Sequence, residues 1–325
     1  MSTEHLNAYR ARITQVREAI AQQVIGQDDV VEGVLLCILA GGHALLEGVP
    51  GLGKTLLVRT MSSVLDLHYS RIQFTPDLMP ADIVGTEILR EEPGHGLKFV
   101  FQPGPIHGNL VLADEINRAT PKTQSALLEA MQEASVTVGG QTRRLPTPFF
   151  VLATQNPLEL EGTYPLPEAQ LDRFLLKIHV PFPTRAELLD IVSTTTSNAQ
   201  TQLEAVLSAD EILAIQSTIR ELLITPELIG YAVDLILHSQ PEGEHASDEV
   251  RRYVRYGAGP RAAQAMVKVA KARAFLHGRL NVAPEDLRAV AIPALRHRIG
   301  LNFEAAADNY SVEHLIEHLL GRVGL

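Results

Sequence analysis

The sequence predicts an α/β protein, in which an αβα sandwich on a five-stranded parallel sheet is followed by an all-helical domain. Short apolar runs alternate with helical patterns in the first half of the chain, which is typical of a doubly wound layer of parallel strands. From Thr184 onward only helical periodicity is present. We therefore predict one domain over residues 1–183 and a second over residues 184–325.

The predicted strands are short apolar runs bounded by turn signals, as expected for strands that are buried on both faces. They comprise residues 43–47, 69–74, 109–113, 149–153 and 175–180. Helices are predicted where apolar residues recur at helical spacing. They comprise residues 8–23 and 28–40 before the first strand, and residues 185–192, 210–222, 226–239, 261–277, 284–290 and 312–320 in the second domain.

Two glycine-rich interruptions of the α/β alternation are predicted to be hairpins. In the first, which spans about residues 75–107, residues 85–89 and 97–101 can pair across the turn at Gly94 and Gly96. In the second, over about residues 135–148, two alternating runs flank Gly139 and Gly140. A two-residue glycine turn between alternating runs is a strong signal for a hairpin.

Composition and charge favour a soluble globular protein of the cytoplasm. The chain is 46% hydrophobic and 20% charged, and because no apolar run is long enough to span a bilayer, we expect no membrane insertion. No signal-peptide pattern is present, and the single cysteine, Cys37, suits a reducing compartment. The net charge is −10 and the basic residues are scattered, apart from a cluster at 251–255, so nucleic-acid binding is disfavoured.

Residues 48–55, Gly-Val-Pro-Gly-Leu-Gly-Lys-Thr, fit the P-loop pattern G-x-x-x-x-G-K-[ST]. Glycines let such a loop turn tightly and bring its N–H groups against phosphate oxygens. Lys54 is expected to contact the β- and γ-phosphates, and the hydroxyl of Thr55 is expected to bind Mg²⁺. The loop also lies between a predicted strand and a predicted helix, which is the context the motif requires. The pattern predicts binding of ATP or GTP.

An acidic pair, Asp114-Glu115, follows the third predicted strand. Beside a P-loop, the first carboxylate is expected to bind Mg²⁺ and the second to take a proton from an attacking water as general base. The fourth strand leads to Asn156, whose amide could orient the same water. Asn156 is equally well read as a turn residue before Pro157.

Several longer motifs, together with the P-loop and the acidic pair, resemble one protein family. They are Val-Ile-Gly-Gln at 24–27, Gln-Phe-Thr-Pro-Asp-Leu-Met-Pro at 73–80, Ala-Asp-Glu-Ile-Asn-Arg at 113–118, Leu-Leu-Glu-Ala-Met-Gln-Glu at 127–133, Tyr-Pro-Leu-Pro-Glu-Ala-Gln at 164–170, Leu-Asp-Arg-Phe at 171–174 and Ala-Ile-Pro-Ala-Leu-Arg-His-Arg at 291–298. The motifs resemble AAA+ ATPases, and in particular the MoxR-type branch, which is related to the magnesium chelatase motor subunit. The resemblance extends from residue 24 to about residue 300.

This resemblance implies roles for further residues. Asn156 matches the first sensor, Arg173 the arginine finger that completes a neighbour's active site, and Arg261 the second sensor on the helical lid. Whether Arg261 acts on its own nucleotide or on a neighbour's stays open, and Arg118 is the second candidate for a contact with a neighbour. Without the family, Arg173 reads equally well as an ion-pair partner of Asp172. The residues expected around the nucleotide are Ile25, Gly26, Gln27, Val49, Pro50, Gly51, Leu52, Gly53, Lys54, Thr55 and Leu56.

The resemblance also implies a function and its partners. We expect an ATPase that uses ATP and Mg²⁺, assembles into a hexameric ring, and remodels or activates a partner protein, with metal-cofactor insertion as one form of that activity. The two predicted hairpins match the helix-2 insert and the pre-sensor-1 insert of this branch. The partner would be a separate protein, in the family often one with a von Willebrand factor A domain. The alternative is a nucleotide-switched scaffold or adaptor in which slow hydrolysis only resets assembly.

Overall fold

The computed structural model describes residues 3–92, 96–157, 162–196 and 203–324. Strands in these ranges are β1 His43–Glu47, β2 Tyr69–Gln73, β3 Gly85–Glu92, β4 Gly96–Pro103, β5 Leu110–Asp114, β6 Ser135–Val138, β7 Gln141–Arg144, β8 Phe150–Gln155, β9 Phe174–His179, β10 Val254–Tyr256 and β11 Gly300–Leu301. Helices are α1 Thr3–Ala21, α2 Asp28–Leu39, α3 Lys54–Val64, α4 Pro80–Val84, α5 Pro121–Glu133, α6 Glu168–Leu171, α7 Arg185–Thr195, α8 Ala209–Arg220, α9 Pro226–His238, α10 Asp248–Tyr253, α11 Pro260–Leu276, α12 Pro284–Leu295, α13 Phe303–Ala307 and α14 Val312–Arg322.

The central sheet has the strand order β2-β5-β8-β1-β9, and every neighbouring pair is parallel. The predicted five-stranded parallel sheet is therefore confirmed. β5 extends through Asp114 and β8 through Gln155, so both strands run further than their apolar segments. The backbone ladder does not depend on side-chain polarity, which is why the polar strand ends were not visible in the apolar pattern.

The interior strand β5 is buried on both faces, and its successive side chains point to opposite sides of the sheet. In β5, Leu110 and Leu112 pack into one cluster, whereas Val111 and Ala113 pack into another. The first cluster contains residues of α1, α2 and α3 and of the helices after α7. The second contains residues of α5 and β6. The result is an αβα sandwich whose strands all end in polar residues at the same edge.

The helical part also contains one short sheet, which the sequence pattern did not predict. β10 and β11 pair antiparallel, with Tyr256 opposite Gly300. A Cβ on Gly300 would lie 2.0 Å from the ring of Tyr256, so only glycine fits there. Strands of three and two residues are too short to show alternation, which explains why the sequence pattern did not reveal them.

The helical part is joined to the start of β9 by a buried arginine. Arg298, 3% exposed, forms an ion pair with Asp172 at 2.7 Å and donates to the carbonyl of Phe174 at 2.6 Å. The ring of His297 lies 3.1 Å from the same carbonyl. These contacts join the first residues of β9 to the segment that directly follows α12. The boundary between residues 183 and 184 stays a prediction.

Both predicted hairpins are present, as β3–β4 and β6–β7. Gly139 and Gly140 have φ values of +59° and +75°, the left-handed region that a two-residue turn requires. Gly94, which the sequence predicts in the turn of the first hairpin, lies outside the described residues. The described strands of that hairpin expose Leu89, Leu97 and Phe99. No helix in the described ranges combines the length and apolar character that a bilayer crossing requires.

Candidate active site

The predicted P-loop connects β1 to α3 at the carboxyl edge of the sheet. Gly51 and Gly53 have φ values of +86° and +75°, and no neighbouring atom lies within 4 Å of a Cβ built on either. Conformation rather than crowding therefore requires glycine at both positions. Lys54 donates from Nζ to the carbonyl of Gly48 at 2.7 Å, and this hydrogen bond connects the two ends of the loop.

We name the space in front of this loop the carboxyl-edge cleft. It measures about 250 Å³ and is lined by Pro50, Gly51, Gly53, Lys54, Thr55, Arg71, Gln73, Asp114, Glu115 and Asn156. Burial lowers the pKa of Lys54, while the carboxylates of Asp114 and Glu115 oppose that shift. The cleft thus combines a partly desolvated ammonium with backbone N–H groups and two carboxylates, which is the donor set for a Mg²⁺-bound polyphosphate.

Asp114 is held from both neighbouring strands. Thr154 of β8 donates from Oγ1 to Asp114 Oδ1 at 2.7 Å, and Arg71 of β2 forms an ion pair with Oδ2 at 2.6 Å. The same Thr154 oxygen accepts from the backbone N–H of Glu115 at 2.8 Å. Thr154, which is fully buried, therefore fixes both members of the acidic pair.

Glu115 has a φ of +57°, which is uncommon for a residue with a side chain and often marks a functional position. Its Oε2 accepts a hydrogen bond from Gln73 at 2.7 Å and forms an ion pair with Arg118 at 2.9 Å. Sequence reasoning missed Arg71, Gln73 and Thr154 as site residues. A usable signal existed, because all three are polar residues near the carboxyl ends of strands that flank β5.

The other residues that the sequence predicts around the nucleotide lie outside this cleft. Gln27 is buried, donates from Nε2 to the carbonyl of Leu52 at 2.7 Å, and its Oε1 accepts no hydrogen bond from the described residues. Gly26 and Gln27 line a neighbouring groove of about 740 Å³, together with Pro181 and Ile292. Four residues do not line the cleft: Ile25 is half-buried, Val49 packs on the core, Leu52 is buried, and Leu56 is exposed in the first turn of α3.

The two predicted arginines lie at the opposite edge of the sheet. Phe174 and His43 are the first residues of β9 and β1, and they lie opposite each other. Arg173 therefore lies at the amino ends of these strands, whereas the P-loop follows the carboxyl end of β1. Arg173 donates from Nη1 to the carbonyl of Leu128 in α5, and its Nε has no partner among the described residues. Arg261 lies 3.8 Å from the carboxylate of Asp172.

Arg173 and Arg261 line the same cavity of about 170 Å³, which we name the amino-edge pocket. Its other lining residues include His43, Asp172, Gln264, Lys268 and Arg298. The structure therefore brings Asn156 to the P-loop and brings Arg173 to Arg261, but it does not bring the two arginines to the P-loop of their own chain. Arg118, the second candidate for a contact with a neighbour, is found on Glu115 instead.

Comparison with known proteins agrees with this geometry. Residues 43–176 match the ATPase family associated with various cellular activities (AAA), and residues 247–319 match the AAA lid domain. The chain is 43% identical over 302 residues to Chaperone MoxR1 of Mycobacterium tuberculosis, which covers 93% of this chain and 79% of that protein. It is 33% identical over 312 residues to Protein MoxR of Methylorubrum extorquens, covering 91% and 90%. The chain belongs to the MoxR family of AAA+ ATPases.

A solved structure supports the same assignment for the fold of this MoxR-family chain. The crystal structure of a candidate ATPase from Cytophaga hutchinsonii has a TM-score of 0.92 and 43% sequence identity, and the match covers 99% of this chain and 97% of that one. The expected resemblance to MoxR-type ATPases is thus confirmed, as is the fold of an AAA domain followed by a helical lid. Nucleotide binding and ATPase activity follow from membership in the family.

Proposed function

We propose that this MoxR-type chain hydrolyses Mg²⁺-ATP in a hexameric ring, at active sites shared between neighbouring subunits. The observation that supports the proposal is the separation of the candidate residues between the two edges of one sheet. Lys54 and Glu115 line the carboxyl-edge cleft, whereas Arg173 and Arg261 line the amino-edge pocket. Strands of five to six residues are about 17–20 Å long. An arginine at one edge therefore cannot reach phosphates at the other edge of its own chain, but it can reach those of a neighbour.

The carboxyl-edge cleft would supply the nucleotide half of each site. Backbone N–H groups of the P-loop and the ammonium of Lys54 would bind the phosphates. Adenine would lie toward Gly26 and Gln27, where the buried Oε1 of Gln27 suits the exocyclic amine of the base. Ile25, Val49, Leu52 and Leu56 would then act through the shape and position of the loop rather than by direct contact.

Thr55 and Asp114 are the residues that would hold Mg²⁺. Hydroxyl and carboxylate oxygens are the hard ligands this ion prefers, and both side chains line the same cleft. The bound ion would neutralise charge on the phosphate oxygens. Arg71 already binds Asp114 at 2.6 Å, so binding of the ion and displacement of Arg71 would be coupled.

Glu115 would accept a proton from the attacking water. Gln73 and Arg118 both bind its Oε2, so the other oxygen, Oε1, is the one left for the water proton. Asn156 follows β8 in the same cleft and would orient that water. The backbone of Glu115 is fixed by Thr154, which keeps the carboxylate in position.

The amino-edge pocket would supply the other half of a neighbour's site. Arg173 would leave the carbonyl of Leu128 and stabilise the charge that develops on the transferred phosphoryl group, a contribution of roughly 10³–10⁵ in rate. Arg261 would act on the same neighbouring nucleotide, because it shares this pocket with Arg173. Arg298 and Asp172 would pass a movement of Arg173 to the helical lid.

The work done by the ring is inferred from the family. We propose remodelling or activation of a separate partner protein, with metal-cofactor insertion as one form, and a von Willebrand factor A protein as the kind of partner the family suggests. The described strands of the β3–β4 hairpin offer exposed Leu89, Leu97 and Phe99 for such a contact. A cytoplasmic location suits the buried free thiol of Cys37.

A nucleotide-switched scaffold is the second candidate, and one observation favours it. Both carboxylates of the acidic pair are neutralised within the chain, Asp114 by Arg71 and Glu115 by Arg118. Such pairing favours slow hydrolysis until a partner or a neighbour rearranges the cleft. Stimulation of turnover by a partner would separate the remodelling ATPase from the scaffold.

The test is the ATPase rate per subunit, measured across a range of protein concentrations with Mg²⁺ and with EDTA. We expect the rate per subunit to rise with concentration in parallel with assembly, and to vanish in EDTA. Sedimentation on the same samples gives the assembly state. Full turnover by a species that sediments as a monomer would contradict shared sites, and full turnover in EDTA would contradict the role of Mg²⁺.

A further inference from the structure

Helix α7 is well formed but leaves most of its surface exposed. Thr184 and Glu187 cap its start reciprocally, through the hydroxyl of Thr184 and the carboxylate of Glu187. Yet none of its residues is buried, and Leu189 and Val192 are 55% and 56% exposed. With Leu188 they form an aliphatic stripe along one side of the helix. Because a helix of this length is marginal on its own, we expect a surface that packs against the stripe.

A groove of matching character lies between α9 and α11. It measures about 540 Å³ and its walls are almost entirely aliphatic, from Ile229, Val233 and Leu237 on α9 to Ala263 and Val267 on α11. The three α9 residues are each 43% exposed and follow one another at helical spacing. The groove is therefore apolar, as are the grooves that receive the apolar face of a helix.

The stripe and the groove lie beside opposite halves of the proposed split site. α7 follows the carboxyl end of β9, and its residue Glu187 lies against Gly26, next to the Gln27 that binds the P-loop. The groove lies at the amino edge, because Gln264 and Lys268 line both the groove and the amino-edge pocket. The two surfaces thus flank different edges of the sheet and do not meet within one chain.

We propose that α7 of one copy of the chain docks into the α9–α11 groove of the neighbouring copy in the ring. The inference rests on the proposed shared active site. If Arg173 and Arg261 reach the phosphates of a neighbour, then the neighbour's α7, which begins beside the proposed adenine site, comes to the groove that lies beside Arg261. The same contact repeats head to tail, so it is heterologous, which is the kind of interface that a ring requires and a two-fold dimer lacks.

This docking also explains how nucleotide binding can be sensed by assembly. Glu187 lines the other groove, of about 740 Å³, together with Gly26 and Gln27, and the proposed adenine would lie there. A nucleotide there would therefore contact the start of α7 and favour the position that the neighbour requires. The helix joins the nucleotide half of one subunit to the lid of the next.

The direct test is a disulfide cross-link between Leu189→Cys and Val233→Cys placed in the same chain, oxidised with ATP and Mg²⁺ present. We expect a ladder of covalent oligomers on a denaturing gel. Cys37 is fully buried, and burial raises the pKa of its thiol, so it does not compete. The matched control pairs Leu189→Cys with Leu280→Cys, an equally exposed leucine outside the groove, and should give no ladder.

A second variant measures the contact without a cross-link. Val233→Asp places a charge in the groove and should raise the protein concentration needed for assembly by at least about tenfold, because an unpaired charge is costly to bury. ATP binding to the dilute subunit should be unchanged, since the groove is far from the P-loop. Leu280→Asp is the control and should assemble as the native chain does.

The outcomes separate this inference from the proposed function. In one outcome the native chain assembles with ATP and Arg173→Ala abolishes turnover, but no cross-linked ladder forms and Val233→Asp assembles normally. The ring then stands, and the docking inference is overturned. If the native chain stays monomeric with ATP and turns over at a constant rate per subunit, both proposals are wrong. A ladder together with impaired assembly of Val233→Asp supports both.

Discussion

The two edges of the central sheet differ in what they hold. The carboxyl edge carries a network in which the P-loop, Asp114 and Glu115 are fixed by residues of β2 and β8. The amino edge carries Arg173, Arg261 and Lys268 around a small cavity, with Asp172 as the counter-charge. One edge has the phosphate loop and the acidic pair, and the other has a cluster of cations. In the proposed mechanism each edge supplies half of an active site, and the length of the strands keeps the two halves of one chain apart.

Both edges also hold ion pairs within their own chain. Arg71 and Arg118 bind the acids of the carboxyl-edge cleft, and Asp172 lies beside Arg261 at the other edge. Isolated subunits should therefore be poor catalysts. Substitutions at the two edges should have separable effects on turnover and on ATP binding.

The largest effect is expected from Arg173→Ala. Removing a guanidinium that stabilises the transition state should reduce turnover by roughly 10³-fold or more. ATP affinity should change little, because the arginine is remote from the P-loop of its own chain. Stopped-flow turnover and nucleotide titration measure the two quantities, and Arg322→Ala at the end of α14 is the exposed control. A large loss of ATP affinity in the dilute variant would place Arg173 in its own cleft.

The next effect is expected from Glu115→Gln. Losing the general base should reduce turnover by roughly 10²–10⁴-fold while ATP stays bound, because the amide keeps the shape of the side chain but cannot accept the proton. Assembly with ATP should persist. Glu129→Gln, on the exposed side of α5, is the control. Normal turnover of Glu115→Gln would remove the residue from the mechanism.

A smaller effect is expected from Thr154→Val, which keeps the size of the side chain and removes its hydroxyl. Asp114 and Glu115 would both lose a hydrogen bond that positions them. We expect turnover to fall about 10–100-fold, as for other residues that orient metal ligands, with ATP binding retained. Thr154→Ser keeps the hydroxyl and should restore most of the rate. Normal turnover in Thr154→Val together with a loss in Thr154→Ser would mean that the methyl packing, not the hydrogen bonds, matters.

The smallest effect concerns stability at the amino edge. His43 accepts at Nδ1 from the N–H of Val151 and donates from Nε2 to the carbonyl of Met131. Burial lowers the pKa of His43 from 6.5 to about 4, and it also lowers the pKa of His297. Because the unfolded chain binds these protons first, stability should decrease as the pH falls from about 6.5 towards 4.

For His43 alone, the loss of unfolding free energy between pH 7 and pH 5 should be about 2 kcal/mol. Denaturant unfolding at the two pH values measures it. His43→Asn keeps an acceptor near Val151 but cannot take a proton at these pH values. The variant should be less stable at pH 7 and less sensitive to acid. An unchanged pH dependence in the variant would assign the effect to other groups.

The sequence predicted the sheet and the P-loop well because both depend on local patterns. Apolar runs mark buried strands, and the glycine spacing marks the phosphate loop. Arg71, Gln73 and Thr154 were missed because their importance arises only when β2, β5 and β8 lie side by side. The separation of Arg261 from its own P-loop likewise depends on how the lid packs against β9 through Arg298, which no local pattern reports. The β10–β11 pair was missed because it is too short to show a period.

The most direct test of the shared site is a mixture of two inactive variants. Glu115→Gln keeps the arginines, Arg173→Ala keeps the base, and the two chains are co-expressed with different tags so that mixed rings form. A site is complete when its nucleotide half comes from the Arg173→Ala chain and its arginine half from the Glu115→Gln chain. Random mixing in equal amounts should therefore restore about one quarter of the native rate per subunit. Mixed rings that stay as inactive as either parent would contradict the division of the active site between the two edges.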